Sequence, residues 1–132
     1  MQKQQSINLT YLDLMTDGDQ EMKKTMLEML LQELEPELKK MRELLDAENY
    51  EELHPVSHKM KSTLAFVGND DMTEANTQIE YQTKHQTAID QLPELMQRLE
   101  NSAPSVLSEL RQALAQLSWT ALTLIVHEST YK

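Results

Sequence analysis

The chain has 132 residues, which is enough for one domain with a single core and too few for two. It contains no cysteine, so disulfides, thiolate catalysis and cysteine-based zinc sites are excluded together. Lysine and arginine number 12 against 22 aspartates and glutamates, and the resulting net charge of −10 argues against non-specific binding to nucleic acid, which needs a basic surface.

The composition favours helices, because Leu, Glu, Gln, Lys and Met dominate and lose little side-chain freedom in a helix. Residues 1–8 are expected to fray, and a short first helix is expected to end near Gly18. Asp17 or Asp19 then caps a long second helix, which Pro36 kinks without interrupting its apolar pattern. That pattern steps by three and four residues through Met26, Leu27, Leu30, Leu34, Leu38, Met41 and Leu45.

A third and a fourth helix follow. Asn49 is a suitable N-cap for the third, and Gly68 is a suitable terminator. The apolar stripe of the third helix consists of Leu53, Val56, Met60, Leu64 and Val67. The segment NDD supplies the next cap, with Asp71 and Glu74 at capping-box spacing, so the fourth helix is predicted over residues 72–85.

A fifth helix is predicted to begin near Asp90, with Pro93 in its first turn. Pro104 either kinks this helix or divides it in two. The pattern does not determine the structure of residues 118–132, a C-terminal extension for which continuation of the fifth helix is the favoured prediction. The fold class is therefore all-α: an antiparallel four-helix bundle over residues 9–117, with a short N-terminal helix and a C-terminal extension.

Neither end of the sequence indicates a membrane segment. The start, MQKQQSINLT, lacks the apolar region of a signal peptide, and no apolar run is long enough to span a bilayer. We therefore expect a cytoplasmic protein. A monomer is the default expectation for such a bundle, and the apolar run over residues 119–126 is the main feature that favours self-association.

The segment HPVSHKMKSTLAFVG, residues 54–68, carries the side chains with the most chemistry. At ~100° per residue, His58 lies ~200° from the core positions on either side of it and points away from the core. Two ammonium groups beside this imidazole make a positive spot in an otherwise acidic chain. The residues around His58 on this side of the helix are Lys59, Lys61, Ser62 and Ala65.

This face of the helix allows three interpretations. A solvated helix surface that happens to carry an imidazole is the commonest case. Metal binding by His54 and His58, which have the i, i+4 spacing of zinc-binding helices, lacks a third ligand and is opposed by the lysines. A nucleophilic His58 that takes up a phosphoryl group is favoured by exposure, by ammonium groups that stabilise phosphoryl oxygens, and by small neighbours that admit a partner. The residues alone leave the first and third interpretations open.

The segment SHKMKSTLAFVG resembles the signature of histidine phosphotransfer (Hpt) domains, the carriers of multistep two-component phosphorelays. In that signature a histidine is followed by any residue, an apolar residue, a lysine and usually a glycine, with another glycine six or seven residues further on. The corresponding positions here are His58, Lys59, Met60, Lys61, Ser62 and Gly68, so a serine stands in place of the first glycine. The resemblance extends over most of residues 9–117, and IEYQTK, residues 79–84, is placed like the family's Leu-Glu segment.

This resemblance implies roles for the residues around the histidine. His58 would be the phosphoacceptor, Lys61 and Lys59 would offset phosphoryl charge, and Gly68 would end the helix. The docking face would lie on the exposed side of the second and third helices. Its near-site members would be the small residues Ser62 and Ala65, with His54 as a bystander.

The resemblance also implies partners. Response-regulator receiver domains would present and receive the phosphoryl group, with a hybrid histidine kinase as a further partner. The receiver would supply Mg²⁺, so the chain would need no cofactor of its own. A passive carrier of this kind has neither an ATP site nor kinase activity.

Three alternatives were considered beside this one. SHKMKSTL also resembles the phosphoacceptor box of sensor histidine kinases, but Lys59 and Thr63 replace its acidic residue and its proline, and two glycines cannot supply an ATP-binding domain. A degenerate Hpt domain that binds receivers as an adaptor, without being phosphorylated, stays open. A metal or storage bundle is disfavoured because the expected Glu-x-x-His pairs are absent from the sequence.

Overall fold

The computed structural model describes the backbone of residues 5–130 and the side chains of residues 5–117. Within this part of the chain there are helices and turns but no strand, which confirms the all-α prediction. None of the helices, over the residues searched, has the length and apolarity needed to cross a bilayer. A 3-10 turn, Ile89–Gln91, precedes the last helix. The α helices are α1 (Thr10–Thr16), α2 (Gln20–Asp46), α3 (Tyr50–Val67), α4 (Asp70–His85) and α5 (Leu92–Thr130).

Helix α2 is one continuous helix of 27 residues. The side chain of Asp19 accepts a hydrogen bond from the backbone N–H of Met22 at 3.0 Å and caps the helix, as one of the two predicted residues. Pro36 lies inside α2 without ending it, because the apolar positions before and after it stay on one face. The buried positions of α2 are Leu27, Leu30, Leu34, Leu38, Met41 and Leu45.

A two-residue turn joins α3 to α4. Asn49 caps the start of α3 as predicted, and Gly68 ends that helix in the left-handed conformation, at φ +72°. The N-cap of α4 is Asn69, whose side chain accepts a hydrogen bond from the backbone N–H three residues further on. The segment NDD thus supplies the cap, as predicted, but the capping box predicted from Asp71 and Glu74 is wrong. The asparagine directly after the glycine takes the cap, and the carboxylate of Asp71 accepts instead from Arg98.

Helix α5 begins at Leu92, after the 3-10 turn, and has Pro93 in its first turn as predicted. Pro104 lies inside α5 and does not divide it. The helix continues to Thr130, so the extension follows the favoured prediction as far as its backbone is described. The side chains of the apolar run over residues 119–126, which raised the question of self-association, lie outside the described residues.

Helices α2, α3, α4 and α5 close a ring in which α2 and α4 each pack against both α3 and α5. Short connections join consecutive helices, so neighbours in the ring run antiparallel. Leucine and methionine fill the interior, because the chain has few aromatic residues. The most deeply buried side chains include Leu34, Met41, Leu53, Met60, Met72, Ile79, Met96 and Leu99.

The residues that precede α1 are fastened to the bundle. The backbone N–H of Ser6 donates to both carboxylate oxygens of Glu109 at 2.9 Å, and the side-chain amide of Asn69 donates to the carbonyl of Ser6 at 2.8 Å. The backbone N–H of Asn8 donates to the last carbonyl of α3 at 3.0 Å. The prediction that residues 1–8 fray is wrong for Ser6 and Asn8, because these hydrogen bonds replace water; the first four residues lie outside the described part.

Candidate functional site

His58 lies on the exposed side of α3, with 66% of its side-chain surface accessible to solvent. Val56 and Met60, which flank it at a spacing of two residues, are buried in the core. The helical period predicts this orientation. The imidazole therefore lies on the exposed face of a helix whose opposite face is buried in the core.

A carboxylate from the neighbouring helix holds the imidazole. Nδ1 of His58 lies 2.8 Å from Oε1 of Glu80 on α4. Because an ionised carboxylate only accepts hydrogen bonds, Nδ1 is the nitrogen that donates. In the neutral imidazole the other nitrogen, Nε2, then carries the free lone pair. The contact thus fixes both the direction of the ring and the nitrogen that is available for chemistry.

Only 16% of the Glu80 side chain is exposed, yet its carboxyl group stays ionised. Burial on its own raises the pKa of a carboxyl group. The hydrogen bond from His58 outweighs that effect, and the ammonium of Lys61, whose Nζ lies 3.7 Å from Oε2, adds to it. The pKa of Glu80 consequently lies below its ordinary value of 4.5. His58, Glu80 and Lys61 form one cluster on the surface, in which the carboxylate of Glu80 lies between an imidazole and an ammonium group.

His54 is also held by α4. Its Nδ1 lies 3.1 Å from the carbonyl oxygen of Glu80 and 3.2 Å from Oγ1 of Thr83. A carbonyl only accepts, so Nδ1 of His54 donates. The half-buried ring, whose centroid lies 6.3 Å from that of His58, joins α3 to α4. Among the residues whose side chains are described, no group of three or more His, Asp or Glu could hold a metal ion.

The other predicted site residues lie on the same helix but outside this cluster. Lys59 is exposed and forms no ion pair with any side chain that the structure describes. Ser62 and Ala65 are exposed and small, and within the described residues the hydroxyl of Ser62 makes no hydrogen bond to the imidazole. Gly68 ends the helix, as predicted, and also lies against the backbone of Asn8.

Comparison with known proteins gives the family. A family model described as the Hpt domain matches residues 25–117, which is more than half of the chain. The chain belongs to the Hpt family. No curated protein and no solved structure matches it. Membership of the Hpt family implies a phosphotransfer role in two-component phosphorelays, as a carrier that interacts with receiver domains and not as a kinase.

The surface of this Hpt domain next to the histidine borders α4, because Glu80 reaches the ring from there. That a receiver docks on the exposed side of the second and third helices stays a prediction. Towards the end of α3, helix α1 adjoins the same face. A depression of about 260 Å³ lies there between the two helices, and Tyr11, Leu14 and Ala65 line part of it.

Sequence reasoning missed the partner of the histidine. The segment that contains Glu80 was placed on the helix after the histidine helix, but no role was assigned to its carboxylate. The separation of 22 residues between His58 and Glu80 carries no information without the register of α3 against α4. A glutamate directly after a core isoleucine on the next helix was the one available signal, since that position borders the helix interface.

Proposed function

We propose that this Hpt domain carries a phosphoryl group on Nε2 of His58. The group comes from the phospho-aspartate of a receiver domain and passes to the aspartate of another. One observation supports this assignment above the others. The ring is two-thirds exposed, and Glu80 occupies Nδ1, so Nε2 is the free nucleophilic nitrogen.

The chemistry of the step needs no proton transfer. The Nε2 lone pair of His58 attacks phosphorus, the bond between phosphorus and the aspartyl oxygen breaks, and the aspartate leaves as a carboxylate. The Nδ1 hydrogen stays between the ring and Glu80. The ring gains positive charge as the N–P bond forms, and the carboxylate of Glu80 offsets that charge.

Two cations stand close enough on the helix to meet the phosphoryl oxygens. Lys61 lies on the Glu80 side of the histidine, and Lys59 is exposed on the other. We assign both to charge stabilisation of the transferred group, with Lys61 the more constrained of the two. The Mg²⁺ of the reaction belongs to the receiver, and a hybrid histidine kinase would deliver phosphate through its own receiver.

The receiver would dock on the exposed face of α3, bordered by α4 at one side and α1 at the other. The small side chains of Ser62 and Ala65 leave room above the ring. Beyond Ala65, Tyr11 and Leu14 expose 45% and 72% of their surface. An apolar rim next to a polar reacting centre suits a partner whose own active site is acidic, because the contact area then adds affinity without adding like charges.

The test is phosphotransfer from a panel of receiver domains charged with acetyl phosphate and Mg²⁺. We expect an acid-labile, base-stable label on the wild-type chain and none on His58→Gln. His85→Gln is the matched control, because His85 is also exposed and lies outside the cluster, with its ring tilted against that of Tyr81 at 4.4 Å between centroids. Lys61→Ala should slow transfer by about tenfold.

The alternative function is a receiver-binding adaptor that is never phosphorylated. It predicts receiver binding that is equal for the wild type and His58→Gln, with no label on either. A label that survives in His58→Gln would contradict the assignment of His58 but not the carrier function.

A further inference from the structure

A buried polar pair joins α3 to α4 one residue before the histidine. The hydroxyl of Ser57 donates to the side-chain oxygen of Asn76 at 2.7 Å. The side-chain amide of Asn76 donates in return to the backbone carbonyl of Ser57 at 3.0 Å. The two residues are 0% and 1% exposed, so no water competes for these bonds. The pair is a reciprocal clasp between two helices.

The clasp differs from the buried side chains around it, which are apolar. Met60 and Leu64 of α3 and Met72 and Ile79 of α4 are fully buried. Apolar contacts are not directional, so they restrain a small slide of one helix along the other only weakly. Hydrogen bonds are directional, and a slide of one residue, about 1.5 Å, would lengthen and bend both bonds of the clasp. The clasp therefore restrains the register of α3 against α4, together with the hydrogen bonds of His54 and His58 to Glu80.

The same register decides whether the histidine meets its carboxylate. Ser57 precedes His58 directly, and Asn76 lies one turn before Glu80 on α4. A slide of α3 along α4 would lengthen and misalign the 2.8 Å contact between Nδ1 and Oε1, which weakens the hydrogen bond. On the other side, Nδ1 of His54 donates a hydrogen bond to the backbone carbonyl of Glu80. The carboxylate is thus fixed between two cross-helix contacts.

We propose that Ser57 and Asn76 are positioning residues for phosphotransfer, because their clasp holds Glu80 on Nδ1 of His58 and so keeps Nε2 as the nucleophile. The inference rests on the proposed function, since it assigns these two residues to the reaction at His58. Neither residue touches the phosphoryl group. Their effect passes through the alignment of two helices.

Stability and positioning are separable at this site. Removing one partner of a buried hydrogen-bonded pair leaves the other unsatisfied and destabilises the fold. Replacing both partners with apolar side chains of similar shape is often close to neutral, because the desolvated polar atoms disappear together. The double variant Ser57→Ala/Asn76→Leu should therefore stay folded while it loses the directional register.

The experiment measures three quantities on the single variant Ser57→Ala and on the double variant. They are the melting temperature, the tautomer of the His58 ring from its ¹⁵N shifts at about pH 8, where an ordinary imidazole is neutral, and the rate of phosphotransfer from a charged receiver. Thr16→Val is the control, because Thr16 is also a buried hydroxyl and bonds only within α1, to the carbonyls of Leu12 and Asp13.

We expect the double variant to melt near the wild-type temperature, to lose the excess of the Nδ1–H tautomer and to transfer phosphoryl on the order of tenfold more slowly. Ser57→Ala should shift both readouts in the same direction, and Thr16→Val should shift neither. An unchanged tautomer or an unchanged rate in folded variants would overturn the proposal. If the wild type accepts no phosphoryl group, the proposed function fails, while the tautomer still tests whether the clasp positions the ring.

Discussion

At the scale of single residues, the carboxylate of Glu80 governs the histidine in two ways. It selects the nitrogen that carries hydrogen, and it places a negative charge next to a ring that becomes positive in the proposed reaction. In that reaction the first effect favours attack by Nε2. The second would stabilise a phosphorylated ring, so the same contact would bear on how readily the group is taken up and on how readily it is released.

Glu80 also makes stability depend on pH. Its pKa is lowered in the folded chain from 4.5, chiefly by the hydrogen bond from His58, so its ionised form contributes stability that is present above pH 4.5 and is lost as pH falls through the lowered value. We expect the excess stability of the wild type over Glu80→Gln to shrink as the pH is lowered from about 5 to about 3. Urea unfolding at several pH values measures it.

Glu74→Gln is the control for that titration, because Glu74 is an exposed carboxylate on the same helix. An excess that grows over the same acid range would contradict the assigned shift of Glu80.

The roles of the site residues on α3 could be predicted from the sequence, and those of the site residues on α4 could not. The helical period alone places His58 on the exposed face and Lys61 near it, because both lie on one helix. The contacts of Glu80 and Asn76 with α3 depend on how two helices are aligned. No spacing within either helix encodes that alignment, so these two side chains became visible only in the structure.

At the scale of elements, the turn between α3 and α4 is the most constrained connection. Gly68 has a φ of +72°, and a Cβ added there would lie 2.1 Å from the carbonyl oxygen of Asn8. The glycine therefore serves two purposes. It reverses the chain at the end of the histidine helix, and it admits the N-terminal segment against that helix end.

The two glycines of the chain allow these purposes to be separated. Gly18 also has a positive φ, of +83°, but a Cβ there would meet nothing within 4 Å. Gly18→Ala should cost about 1 kcal/mol of unfolding free energy, from backbone strain alone. Gly68→Ala should cost roughly 2–4 kcal/mol, because Asn8 must move and its hydrogen bond to α3 is lost as well. Equal losses in denaturant unfolding would mean that the contact with Asn8 contributes nothing.

Element boundaries were predictable where one residue decides them. Gly68 and Asp19 act through their own conformation or side chain, and both were identified. The start of α4 was misplaced because two candidate caps, Asn69 and Asp71, follow each other closely. The carboxylate of Asp71 accepts a hydrogen bond from Arg98 on α5, and Arg98 is distant from Asp71 in sequence.

At the scale of the whole molecule, the fold combines an acidic surface with a small neutralised site. The chain carries a net charge of −10, yet the cluster at His58 pairs one carboxylate with a lysine and an imidazole. Exposed apolar side chains gather on α1, next to the face of the histidine. An acidic receiver would meet repulsion over most of this surface and find its most favourable approach at that face.

The contribution of α1 to docking can be measured directly. Leu14→Ser should weaken receiver binding by about three- to tenfold, from loss of an exposed leucine that a partner would cover. Met29→Ser is the control, because Met29 is 44% exposed on α2 and does not line the depression between α1 and α3. Both variants should melt at the wild-type temperature. Equal affinities, measured by calorimetry, would remove α1 from the interface.

The ring of four helices followed from composition and apolar period, because leucine stripes on four long helices have few other ways to become buried. The partner of the histidine did not follow. Helix α3 packs against both α2 and α4, and the apolar stripes do not determine which of these two helices supplies a side chain to the ring. The alignment of α3 against α4 places Glu80 there.

The turn of Gly68 and Asn69 has a kinetic consequence. His54, Ser57, His58 and Lys61 precede it, and Asn76 and Glu80 follow it, so the whole chemical centre belongs to one helical hairpin of 36 residues, from Tyr50 to His85. Closing that hairpin requires only a short loop and little loss of chain entropy. The pairing of α2 with α5 joins Arg42 to Glu100 across 58 residues. The proposed phosphoacceptor is thus held by contacts that are local in the chain, the kind that forms early in folding, while the long-range pairing closes the bundle around it.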